Sequence, residues 1–193
     1  MLYSQNAVKY RNVFFTIGSR NLDLRSYRRL CKDKTRLQDN FNFPSQNIKT
    51  LLNEEATLSN IKNSLINISK SAHNNDRILV FYAGHGTTES TFDGSEQNGF
   101  LIPYDGRLDN AFATGLDMDF ISKLCGRSHA KHMLFLMDAC YSGLMTENVK
   151  GLANPIEDGY LLKVSNESAR QIITAGGSKQ QVIERDKWQH SAF

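Results

Sequence analysis

At 193 residues, 40% hydrophobic and 22% charged, the chain has the size and balance of one soluble globular domain. No run approaches the roughly 18–20 apolar residues of a membrane span, and the opening MLYSQNAVKYRN lacks the apolar core of a signal peptide, so a cytoplasmic protein is expected, with no membrane partner. A formal charge of +3, with the basic residues of SYRRLCKDKTR interleaved with apolar ones, leaves no nucleic-acid footprint, and three cysteines (Cys31, Cys125, Cys140) are too few for a disulfide framework.

In chain order, NVFFTI (Asn12 to Ile17) predicts a short strand closed by Gly18, and the stretch from Ser26 to Phe41 places Leu30, Leu37 and Phe41 at near-helical spacing. NIKTLL (Asn47 to Leu52) predicts a weak strand. Behind a Thr57 cap, Leu58, Ile61, Leu65, Ile68 and Ala72 recur every three or four residues, as on a helix that covers a sheet. RILVFYAG (Arg77 to Gly84) and HMLFLMD (His132 to Asp138) are apolar on both faces, the pattern of central parallel strands. Between them come a polar loop (Thr87 to Asn98), the apolar run GFLIP and a helix-like DFISKLCG. An irregular segment follows Cys140 to about Glu167, and ARQIITAG (Ala169 to Gly176) predicts a further strand. Strands alternating with helices imply an α/β sandwich on a mostly parallel sheet.

The two apolar strands each lead into a reactive side chain, His85 in VFYAGHG and Cys140 in LFLMDACYSG. Open parallel sheets carry their sites beyond the carboxyl ends of their strands, and neighbouring strands are about 4.8 Å apart, so a thiol and an imidazole at two such ends can share one cleft. An unperturbed thiol is mostly protonated at neutral pH, with a pKa of about 8.5; an adjacent imidazole supplies the base and later protonates the leaving amine. Gly84 and Gly86 bracket His85, which predicts a sharp turn there and an unobstructed Gly86 N–H that, with the Cys140 N–H, could hold a tetrahedral oxyanion. His129 and His132 have no companions at a metal-ligand spacing, and no cofactor is required.

FYAGHG followed by FLMDACYSG resembles the caspase and metacaspase-like superfamily of cysteine peptidases, whose histidine precedes the cysteine by about 50 residues. GFLIPYD, IITAGGSKQQVIE, QHSAF and CKDKTRLQDNF are similar to further segments of that family, so that the likeness spans nearly the whole chain. The resemblance implies a caspase-like αβα sandwich, a Cys140–His85 dyad and hydrolysis of protein or peptide substrates. It also implies carboxylates in the pocket for the residue before the scissile bond: Asp138 stands where Asp-specific caspases carry glutamine, and Asp33 stands at a position that is usually acidic in metacaspases. Cleavage after Arg or Lys is the expectation.

The chain departs from the family pattern in carrying Ala83 two residues before the histidine, and Asn98, Asp117 and Asp119 match its calcium-binding positions poorly, so calcium is not implied. The family domain continues past the final motif, which leaves residues 1–193 read as one domain short of its last elements, with the remainder of the same protein or a regulatory partner to complete it. The segment from Leu144 to Glu167 resembles an intersubunit linker, with Lys150 and Lys163 as candidate cutting sites. Two other readings stay open at this level: an inactive caspase-like interaction module, and an acyl transferase using the same dyad.

Overall fold

The computed structural model of the chain describes residues 12–18, 38–41, 43–95, 97–139, 168–174, 184–185 and 190–191. Its strands are β1 (Asn12–Gly18), β2 (Ile48–Leu52), β3 (Arg77–Ser90), β4 (Gln97–Ile102), β5 (Leu116–Asp117), β6 (His132–Ala139) and β7 (Ala169–Thr174), with a small separate pair β8 (Glu184–Arg185) and β9 (His190–Ser191). Besides the helical residues 38–41, the α-helices are α1 (Leu58–Ser71), the single turn α2 (Ala111–Thr114) and α3 (Met118–Arg127).

β1 to β7 form one seven-stranded sheet. β3 lies at its centre, paired in parallel with β1 on one side and β6 on the other, while β2 extends the sheet beyond β1 and β7 beyond β6, also in parallel. The antiparallel part is confined to β4, which pairs with the far half of β3, and β5, which pairs with β4. This is the α/β architecture with a mostly parallel sheet that strand and helix alternation predicts.

Pleating sorts the central strands onto two faces. Ile78, Val80 and Tyr82 of β3 and Met133, Phe135, Met137 and Ala139 of β6 are buried in one cluster with Ile61 and Leu65 of α1 and Ile121 and Leu124 of α3. On the other face Phe81 gathers the half-buried Leu79, Ala83, Leu136, Phe43 and Ile48. Burial of each large side chain in the main cluster stabilises by about 1.5–3 kcal/mol relative to exposure. The expected helix periodicity in α1 is met: Thr57 caps it through its hydroxyl, which accepts from the Asn60 N–H at 3.2 Å. Asp117 does the same for α3, accepting from the Asp119 N–H at 2.8 Å, so this carboxylate terminates a helix.

One expectation needs correction. The chain makes no turn at His85: β3 runs 14 residues, to Ser90, and its half from His85 onward pairs antiparallel with β4. Consequently Thr87 to Ser90 is strand, and the loop shrinks to the tip between β3 and β4. That tip explains why the strand continues. The Asp93 carboxylate accepts from the Thr91 hydroxyl at 2.6 Å and from the Ser95 hydroxyl and N–H at 2.7 and 3.1 Å, which holds its carboxyl down at about 2, and Gly94 takes the left-handed φ of +71°. A reversal built there lets the backbone stay extended through Gly84 and Gly86. Of the helix expected from Ser26 to Phe41, residues 38–41 are helical, with Phe41 62% exposed, and the remainder lies outside the described residues.

Among the described residues no helix is long and apolar enough to cross a membrane.

Candidate active site

His85 stands where β3 changes partners. Through Gly84 the strand is in parallel register with β6, Ala83 opposite Asp138 and Gly84 opposite Ala139; from His85 it is antiparallel to β4, His85 opposite Ile102 and Gly86 opposite Leu101. This is the carboxyl-terminal edge of the parallel sheet, the place where such sheets carry their sites. The backbone at the changeover is held by Tyr82, buried at 1% exposure, whose hydroxyl lies 2.9 Å from the His85 carbonyl oxygen and 2.8 Å from that of Ile102.

The His85 side chain is exposed, and among the described residues its imidazole has no hydrogen-bond partner. It borders a cleft of about 380 Å³ whose other boundaries are Ile102, Pro103 and the run Gly106 to Asp109. The loop forming that wall is tied down along its length. Tyr104 N–H donates to the Ala56 carbonyl at 2.9 Å, the Leu58 N–H at the start of α1 donates to the Asp105 carboxylate at 2.8 Å, and Gly106 N–H closes a turn onto the Pro103 carbonyl at 3.0 Å. A side chain at Gly106 would meet Pro103 Cδ at 2.6 Å and Ile102 Cγ2 at 3.1 Å, so the close approach of loop to strand demands glycine. Farther on, Arg107 N–H donates to the Thr114 hydroxyl at 2.9 Å, and the Glu89 carboxylate accepts from the Ala111 and Phe112 N–H groups at the start of α2.

At the rim, Arg107 donates to both oxygens of Asp109, Nε to Oδ1 at 3.0 Å and an Nη to Oδ2 at 2.7 Å. Each is exposed, and each steadies the other's charge: the hydrogen bonds from Arg107 pull the Asp109 carboxyl below its ordinary value, and those to Asp109 raise the guanidinium.

Of the residues singled out in the sequence, His85, Gly86 and Asp138 are thus described, Gly86 buried and Asp138 half-buried, while Cys140, Asp33, Lys150 and Lys163 lie outside the described residues. Ala139, the partner of Gly84, is the residue immediately before Cys140. A different thiol, Cys125, sits half-buried on α3, and burial pushes it up to about 11 despite the opposing charge of Arg170, which favours the protonated form at neutral pH. His129 is exposed, and His132 opens β6 opposite Arg77, at the end of the sheet away from His85. Among the described residues no group of three or more His, Cys, Asp and Glu side chains is placed to hold a metal ion. Sequence reading missed Tyr82 and the Arg107–Asp109 wall; the first looks like one more apolar residue of a core strand, and the second depends on loop geometry that has no sequence period.

Residues 7–149 match the family model for the metacaspase, peptidase C14 domain. No protein with a curated description matches the sequence significantly. Among solved structures, the chain is similar to protein GSU0716 from Geobacter sulfurreducens, with a TM-score of 0.53 and 18% identity over 80% of this chain and 59% of that one. That likeness is one of fold, and the chain spans 59% of that structure's length. Motif, sheet and family model agree: the chain belongs to the metacaspase peptidase C14 family.

Proposed function

We propose that the chain is a cysteine endopeptidase in which Cys140 is the nucleophile and His85 its proton carrier, cutting protein substrates after Arg or Lys. The observation that carries this reading is the parallel pairing of Gly84 with Ala139 at the carboxyl edge of the sheet, because the residues that follow them in the sequence are His85 and Cys140. His85 borders the cleft, and in this reading the Cys140 thiol acts at the mouth of that cleft. Cys125, half-buried and with its thiol raised by burial, is the weaker candidate of the two, which supports the same assignment.

The chemistry follows from the pair. The Cys140 thiol gives its proton to His85 and its sulfur attacks the carbonyl carbon of the scissile bond. The Gly86 and Cys140 N–H groups hold the oxyanion. As the C–N bond breaks, the imidazolium passes its proton to the leaving amine; water then attacks the thioester, giving a proton to His85, and the thiol is regenerated with release of the new carboxylic acid. For the residue before the scissile bond, Asp138 lies two positions ahead of the nucleophile on the strand face that also carries Leu136, and with Asp33 it would present carboxylates to a guanidinium or ammonium group.

Incubation with a peptidyl ketone electrophile ending in Arg, followed by peptide mapping, tests the reading. Labelling of Cys140 that disappears in His85→Ala, together with faster labelling by the Arg than by the Asp reagent, is the expected result. Absence of labelling on the whole protein overturns the dyad; preference for the Asp reagent, or an Arg preference unchanged in Asp33→Asn with Asp138→Asn, overturns the specificity alone.

A further inference from the structure

We infer that the cleft between His85 and Leu108 receives the substrate residue that follows the scissile bond, and that it selects an uncharged, apolar side chain there. The inference rests on the reading of His85 as proton carrier. A group that protonates the leaving amine must stand beside the leaving half of the peptide, so whatever shares a cleft with the imidazole borders the residue bearing that amine.

The chemistry of the walls decides what that residue is. Leu108 is 56% exposed and supplies accessible apolar surface, and the buried Ile102 and Pro103 line the same cleft. A leucine left open to water beside an exposed histidine gains by being covered, at about 25 cal/mol per Å² of apolar surface. The charged members of the rim offer little to a charged side chain. Arg107 and Asp109 already face each other through both carboxylate oxygens, so an incoming carboxylate meets attraction from one and repulsion from the other, as does an incoming ammonium. The wall is also pre-formed: the bonds from Tyr104, Gly106 and Arg107 and to Asp105 fix it before any substrate arrives, so little ordering opposes binding.

Five peptides that differ only in the residue after a common scissile Arg, carrying Leu, Phe, Ala, Lys or Asp there, provide the test. Leu and Phe are expected to exceed Lys and Asp by about tenfold or more in kcat/KM, the scale on which one pocket discriminates small side-chain differences. Leu108→Asp should collapse the ratio of Leu to Lys turnover, and Leu108→Met should preserve it. Flat rates across the five peptides, or a preference for Lys or Asp, would overturn the subsite. The same protein is titrated in parallel with the Arg electrophile, which has no residue beyond the scissile carbonyl. Labelled Cys140 with flat peptide rates removes the subsite and leaves the dyad, whereas unlabelled Cys140 removes both.

Discussion

The Tyr82 hydroxyl sits between the carbonyl oxygens of His85 and Ile102, 2.9 Å from one and 2.8 Å from the other, and those two residues face each other across the first antiparallel pair of β3 and β4. One buried phenol therefore ties the residue proposed to carry the proton to the strand that begins the cleft wall. Tyr82→Phe keeps the ring and removes the tie. It is expected to lower stability by about 1–2 kcal/mol in urea unfolding, the cost of leaving buried carbonyls short of a donor. Peptidase turnover should fall as well, through kcat more than KM, because the backbone at His85 loses its anchor while the substrate-contacting walls remain. Wild-type values of both would show that the hydroxyl is idle.

Cys125 should be inert where a catalytic thiol is not. With its thiol raised to about 11 by burial, iodoacetamide at pH 7 is expected to leave Cys125 unmodified in the folded protein and to reach it only after unfolding. Its titration also predicts a slope. The folded group holds its proton above the ordinary value of 9.0, so stability is complete below pH 9.0 and declines as pH rises from there through about 11. Cys125→Ala should flatten that decline in denaturant melts and leave peptidase activity in place.

Glu89 links the extension of β3 to the turn α2 by accepting from the Ala111 and Phe112 N–H groups. Glu89→Ala should free both amides, cost about 1 kcal/mol or more as other lost caps do, and raise hydrogen exchange at 111 and 112 ahead of the strands. Glu89→Gln, which retains an acceptor oxygen, should recover most of the protection. Exchange unchanged in both variants would remove the link.

Arg170 at the start of β7 is a second structural tie, spread over many acceptors. Its guanidinium donates to the carbonyls of Ala130 at 2.7 Å, Ala169 at 2.9 Å, Lys131 at 3.0 Å, and Cys125 and Ser128 at 3.2 Å, closing off the chain that leaves α3. Arg170→Lys keeps the charge but cannot reproduce a planar fork of donors. A loss of about 1–3 kcal/mol is expected for Lys and Ala alike, measured by thermal or urea unfolding. A neutral Lys variant would mean that charge alone suffices.

The parallel core was legible in the sequence because its signals are periodic or compositional. The unbroken apolar runs of β3 and β6, and the spacing of Ile61 and Leu65 on α1, follow directly from which faces are covered. What was not legible depends on partners distant in the chain. The extension of β3 past His85 is decided by β4 and by the Asp93–Gly94 reversal, whereas a glycine-flanked histidine by itself suggests a turn. The role of Asp117 as a helix cap, and of Asp105 as acceptor for the first amide of α1, likewise comes from where the backbone ends of helices fall. The apolar strand that carries His85 was readable; the wall of its cleft was not, since Arg107, Leu108 and Asp109 acquire meaning only once the loop is folded back beside His85.

The hold on β7 bears on what a break in the chain would do. β7 lies along β6 in parallel from His132 opposite Ala169 to Met137 opposite Thr174, its Ile172 packs against the main core, and Arg170 grips the carbonyls behind α3. None of these contacts depends on the covalent path from Ala139 to Ser168. A cut within that path, at Lys150 or Lys163 for instance, would convert the molecule into a two-piece assembly rather than release a fragment, and the pieces should elute together on a sizing column and separate only in denaturant.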